Sequence, residues 1–366
     1  MECLEKPIWN KYTREELMKL TVTAPDESSR RRVLRNWDQV AKPIDGMGRF
    51  EILTAQIGAI QGTERIDISK RAVIIMCSDN GIVEEGVSQS GQEVTLAVVK
   101  CMADGKSSVG KMAELVGADT IPVDIGVNHE GKIPGVLDRK IRCGTGNFRK
   151  TPAMTEEEAV RAIFTGIEMV WSCKEKGYKI LATGEMGIGN TTTSSAIAAS
   201  LLECEVAEVT GRGAGLSDER LIHKQKMIAG AIEKYKLKGA DALRILETVG
   251  GLDIAGLAGV CIGGALYHVP IVLDGVISMV AALLAQRLVP GTREYLLPSH
   301  KGKEPAVEKL TRELALEPVI NAGMALGEGT GAVMLFPLLD MALRIYRDGT
   351  SFSDIHVEQY ERFQNT

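Results

Sequence analysis

Short apolar runs alternate with longer amphipathic stretches through the middle of the chain. This alternation predicts a mostly parallel α/β sheet covered by helices on both faces. Residues 72–76, 120–127, 178–182, 205–209 and 269–273 read as strands. Residues 93–116 read as helical, and Thr155 with Glu158 forms a capping box for a helix running to about Lys176. The small-residue stretch 194–202 reads as a helix, and Ser217 caps another, with Asp218 and Glu219 in its first turn. Residues 254–289 are largely apolar, but Gly263-Gly264, His268, Pro270 and Asp274 divide them into pieces too short to cross a bilayer. They read as helix, strand and helix inside a large domain.

The two ends differ from this middle. Residues 1 to about 35 are polar, with Arg30-Arg31-Arg32, and predict a helical, solvent-facing segment. Asp45-Gly46-Met47-Gly48 marks a turn, after which Phe50, Leu53, Ile57 and Ile60 recur at helical spacing. From about residue 291 onward the pattern is helix and loop with no strand signal. This tail is expected to pack with the N-terminal helices as a smaller unit.

Composition narrows the class. The 366 residues are 45% hydrophobic and 25% charged, as in soluble globular proteins. A net charge of −5 argues against a nucleic-acid partner, and 4% aromatic residues leave few platforms for stacking bases. The seven cysteines form no C-x-x-C pair, which suits unpaired thiols in a reducing cytoplasm. The five histidines have no metal-ligand spacing, so no protein-built metal site is expected. The start, Met1-Glu2-Cys3-Leu4-Glu5-Lys6, does not resemble a secretory signal.

Candidate chemistry collects in four segments. The first is Gly184-Glu185-Met186-Gly187-Ile188-Gly189-Asn190-Thr191-Thr192-Thr193, between a strand and a helix start. Backbone N–H groups and the positive end of a helix dipole converge on an anion in such a turn, and glycines let the backbone approach it. Glu185 would repel phosphate and reads instead as an acceptor for a hydroxyl such as that of a ribose. A glycine turn without a ligand is the plainer alternative. The second segment is Cys77-Ser78-Asp79-Asn80-Gly81 with residues 86–93, polar positions after a buried strand that could equally form a long surface loop. The third is Gly211-Arg212-Gly213-Ala214-Gly215, with Lys224 two turns into the next helix. It is neither a Walker A loop nor a G-x-G-x-x-G fingerprint, which makes a nicotinamide-dependent dehydrogenase the weakest option. The fourth is Ala325-Leu326-Gly327-Glu328-Gly329-Thr330-Gly331. Burial of Glu328 would raise its pKa and suit it to proton abstraction. Taken alone, a surface loop with a solvated carboxylate explains it equally well. Every such loop is expected at the carboxyl end of a strand.

In order along the chain, these segments resemble the nicotinate-nucleotide–dimethylbenzimidazole phosphoribosyltransferase family of cobalamin biosynthesis. The resemblance also takes in Lys42-Pro43 with Gly48-Arg49-Phe50-Glu51, Gly86-Val87-Ser88 with Gln92-Glu93-Val94-Thr95, Leu273-Asp274-Gly275 and Pro298-Ser299-His300. It implies a Rossmann-like large domain over 66–290, a small helical domain from residues 1–65 and 291–366, and a homodimer. It implies transfer of the 5-phosphoribosyl group from nicotinate mononucleotide to a benzimidazole nitrogen, with small-molecule substrates and no cofactor. Glu328 would be the general base and Glu185 would lie beside the ribose. Gly187, Gly189, Asn190 and Thr191 would bind phosphate, helped by Gly213 and Lys224. Met186, Gln92 and Leu326 would line the base pocket. Many members carry Asp-His-Gly where this chain has Asp79-Asn80-Gly81, which leaves the accepted base open. Two alternatives stand beside this reading: one subunit of a heterodimer that activates phenols, and a nucleotide-binding regulator without chemistry.

Overall fold

The computed structural model describes residues 12–362. Residues 1–11, which begin the expected N-terminal helical segment and include Cys3, lie outside the described residues, as do 363–366. The strands are β1 (Arg71–Ser78), β2 (Ala118–Gly126), β3 (Leu137–Asp138), β4 (Ile180–Met186), β5 (Ile271–Leu273) and β6 (Leu296–Pro298). They form one sheet in the order β3-β2-β1-β4-β5-β6, with every neighbouring pair parallel.

Strand β1 explains why its sequence is apolar without alternation. Successive side chains point to opposite faces of a sheet, so an unbroken apolar run requires cover on both. Ala72, Ile74 and Met76 enter one core cluster, while Val73, Ile75 and Cys77 enter the other. The first is completed by the helices Glu156–Glu175, Leu252–Tyr267 and Val276–Leu288. The second is completed by Arg49–Gln61, Ser108–Leu115 and Thr330–Asp348. The capping box at Thr155 and Glu158 is present, and the run 254–289 divides into helix, strand and helix as expected. Among the described residues no helix is long and apolar enough to cross a membrane.

Four readings need correction. Residues 205–209 form no strand: Val206–Val209 is a single helical turn. Val206 and Val209 lie one turn apart with exposed Ala207 and Glu208 between them, a spacing of three rather than alternation. The loop Gly211–Gly215 therefore follows a helix, not a strand. The C-terminal stretch does contribute a strand, β6, which is too short to display a period. Residues 93–116 are two helices, Glu93–Ala103 and Ser108–Leu115, parted where Gly105 takes a positive φ and Ser107 caps the second. The N-terminal segment is not simply solvent-facing, because helix Glu27–Gln39 buries Ser29, Val33 and Trp37.

The sheet order positions the site. From β1 the chain moves outward to β2 and β3, then returns to the other side of β1 as β4. The connections leaving β1 and β4 diverge, opening a crevice beyond their carboxyl ends, where ligands of open parallel sheets bind.

Candidate active site

Strand β4 runs directly into this crevice. Its last residues are Gly184, Glu185 and Met186, followed by a turn and the helix Asn190–Leu201. That helix begins at Asn190 rather than at 194. Gly189 precedes it at φ 94°, a conformation that side-chain-bearing residues rarely adopt, and no side chain caps the helix. The Asn190 and Thr192 N–H groups close back on the Gly187 and Gly189 carbonyls at 3.1 and 2.9 Å, and the positive dipole end of the helix faces the crevice. The turn is pinned from behind where the Ile188 N–H donates to Thr95 Oγ1 at 3.1 Å.

A cleft of about 300 Å³ opens here. Glu185, Met186, Gly187, Asn190 and Thr191 form one wall. Gly213 enters from the neighbouring loop, and Leu326 and Glu328 close the opposite side. Eight residues selected from sequence thus share one cavity. Gly189 faces an adjoining hollow of about 80 Å³ with Gln89 and Arg212. A larger concavity of about 720 Å³, beside Asn36, Tyr346 and Arg347, contains none of the glycine-loop residues.

Two selected residues stand outside the lining. Lys224 is fully buried; its Nζ donates to Thr191 Oγ1 at 3.0 Å and to the Gly211 carbonyl at 3.2 Å, so it braces two glycine loops from within. Burial pushes its pKa down to about 8. Gln92 donates to the Asn80 carbonyl at 3.4 Å and accepts from Asn128 at 2.8 Å. Asn80 is itself fully buried behind the glycine turn, against Asp253, and does not line the cleft. The Gly213 N–H already donates to Glu304 Oε1 at 3.1 Å.

The carboxylates divide into three environments. Glu185 is buried, and Asn190 Nδ2 donates both to it and to Asp253 Oδ2, the latter at 3.1 Å. Burial first, then the nearby Asp253 charge, push Glu185 up to about 8. Burial likewise pushes Asp253 up to about 7. Near neutral pH this pair therefore retains protons. Asp274 follows β5 and accepts backbone N–H groups from Gly329, Gly331 and Ala332 at 2.8–3.2 Å. Burial raises its pKa, opposed by His300 nearby. Glu328 is half-buried at φ 63°, and its Oε2 accepts the Val109 N–H at 3.1 Å. Of the two carboxylates, Glu185 is the deeply buried one. The Glu328 carbonyl packs on β4 so closely that a Cβ at Gly184 would lie 2.4 Å from it.

Sequence reading did not single out Asp253, Glu304 or Asn80's buried position as site features. Asp253 did carry a signal: it is the one acidic residue in the sixteen-residue helix Leu252–Tyr267. An isolated charge in an apolar helix needs a partner. No group of three or more His, Cys, Asp or Glu side chains among the described residues is placed to hold a metal ion.

A nucleotide-sized cleft, an uncapped helix at a switch point and two convergent carboxylates define the class of site, and the likeness to known proteins agrees with it. The family model described as Phosphoribosyltransferase matches residues 22–357. A protein of Acetivibrio thermocellus described as nicotinate-nucleotide–dimethylbenzimidazole phosphoribosyltransferase is 43% identical over 329 residues, 90% of this chain and 94% of the relative. One of Clostridium acetobutylicum with the same description is 41% identical, covering 90% of this chain and 94% of the relative. The crystal structure of CobT from Thermus thermophilus superposes with a TM-score of 0.86 at 35% identity, covering 91% of this chain and all of that one. The chain belongs to the nicotinate-nucleotide–dimethylbenzimidazole phosphoribosyltransferase family, and it is an enzyme of pentosyl transfer.

Proposed function

We propose that this enzyme transfers the 5-phosphoribosyl group of nicotinate mononucleotide to 5,6-dimethylbenzimidazole or a related lower-ligand base, with Glu328 as general base. The observation that carries the reading is the convergence of Glu185 and Glu328 on one cleft beside an uncapped helix start. The phosphate sits at Gly187–Thr191, the ribose beside Glu185, and the acceptor base against Met186 and Leu326. The new bond joins the ribose anomeric carbon to a benzimidazole nitrogen. The bond to the nicotinate ring nitrogen breaks, and that nitrogen, positive in the nucleotide, leaves neutral. The proton on the second benzimidazole nitrogen passes to Glu328. Positioning supplies roughly 7–11 kcal/mol to such a step. A general base adds about 10²–10⁴-fold.

Glu328→Gln is expected to lower kcat by about 10²-fold or more while nucleotide affinity stays within a few-fold. Steady-state rates alongside calorimetric nucleotide titration check this, and a near-native kcat would remove Glu328 from the role. The smaller unit of this reading joins residues 1–65 and 291–366; Trp37, Leu53 and Phe336 share one apolar cluster, which supports the meeting of the two ends, although that cluster also takes in Val73 and Ile75 of β1 and β6 belongs to the main sheet. The enzyme acts as a homodimer in the cytoplasm. Unpaired cysteines and an exposed apolar stripe on helix Thr330–Asp348 support that setting.

A further inference from the structure

We infer that Asp274 is the positioning residue for Glu328, an inference that rests on Glu328 being the base. Gly327, Glu328 and Gly329 have φ values of 84°, 63° and 98°, three successive residues in the left-handed region. Glu328 is the one among them with a Cβ, so its conformation is disfavoured unless its surroundings impose it.

Asp274 imposes it. The helix Thr330–Asp348 starts after Gly329, with no capping side chain from its own segment. Asp274 supplies the cap from β5's end. Its Oδ1 accepts from the Gly331 N–H at 2.8 Å and the Ala332 N–H at 3.2 Å, and its Oδ2 accepts from the Gly329 N–H at 3.2 Å. This last bond falls on the residue directly after Glu328. Asp274 is in turn anchored, because its own N–H donates to Thr183 Oγ1 at 3.2 Å and that hydroxyl bonds Ser278 Oγ at 2.9 Å. β4 and β5 are thus tied to the turn that presents Glu328. Asp274 borders the cleft, but both its oxygens are engaged by backbone N–H groups of the Glu328 turn and the helix after it, so it acts through Glu328 rather than on the substrates.

A double-mutant cycle tests this. Asp274→Asn keeps the acceptor at Oδ1 and loses the one at Oδ2, releasing the Gly329 N–H beside Glu328. In the otherwise native enzyme it is expected to lower kcat by about 10- to 10²-fold, the scale of a misplaced catalytic group. In a Glu328→Gln background it is expected to lower kcat by less than about 2-fold, since no base remains to misplace. Nucleotide affinity is expected to stay within about 3-fold throughout, because the phosphate loops are separate. An equal loss in both backgrounds, or no loss in either, overturns the inference. If Glu328→Gln alone retains the native rate, the base assignment fails first and this inference with it. Should Asp274→Asn not fold, Thr183→Val, which removes the anchor and leaves the cap, carries the same comparison.

Discussion

One amide serves two buried carboxylates: Asn190 Nδ2 reaches both Glu185 and Asp253, 63 residues further along the chain. Glu185 is held up to about 8 and Asp253 up to about 7, both above their ordinary carboxylate values. The folded protein therefore binds more protons here than the unfolded chain across the interval between. Their contribution to stability is complete below the unfolded values, near pH 4, and is lost as pH rises through about 7 to 8. Asp274, also raised, acts in the same direction. The thermal unfolding temperature is expected to fall between about pH 5 and pH 8, and Asp253→Asn is expected to flatten that slope. An unfolding temperature that rises with pH in this window would contradict the raised values of these two carboxylates. What sequence revealed at this scale was local. Glu185 and Glu328 stand out as carboxylates among glycines, whereas the pairing of Asp253 with Asn190 depends on a contact that only the folded chain makes.

At the scale of elements, the site depends on how β4 passes into helix Asn190–Leu201. Gly189 holds φ 94°, and a Cβ there would lie 2.7 Å from Val83 Cγ2. Gly189→Ala is expected to cost about 1–3 kcal/mol of local strain. The turn would relieve it by withdrawing N–H groups from the phosphate. Nucleotide affinity measured by calorimetry should fall about 10-fold or more, and unchanged affinity would remove the helix start from the binding role. Most elements were legible because long amphipathic helices and buried parallel strands carry strong periods. Failures came where a segment is too short to show one: the turn Val206–Val209 was read as a strand, and β6 was not seen. The motif Lys42 to Glu51 was legible only as a resemblance. In the fold it is an ion pair, Lys42 Nζ to Glu51 Oε1 at 2.7 Å, with both side chains largely buried.

For the whole molecule, the sheet order brings distant segments to one place. β1 and β4 meet at the switch point, and the turn after Leu326 closes over them from the far end of the chain. No local pattern announces that meeting; the ordered set of motifs did so by resemblance. The outer face of helix Thr330–Asp348 exposes Met334, Met341 and Ile345, and the adjacent helix Arg49–Gln61 exposes Ile52. A run of large apolar side chains in water favours cover by another surface. Met341→Glu is expected to convert the proposed dimer to monomer in sedimentation velocity, and a native protein that sediments as a monomer would remove the dimer from the account. The central claim is the transfer itself. The most direct measurement incubates the purified chain with nicotinate mononucleotide and 5,6-dimethylbenzimidazole and follows products by mass. The expected result is nicotinate and α-ribazole 5′-phosphate in equal amounts; nucleotide bound without release of nicotinate would contradict it.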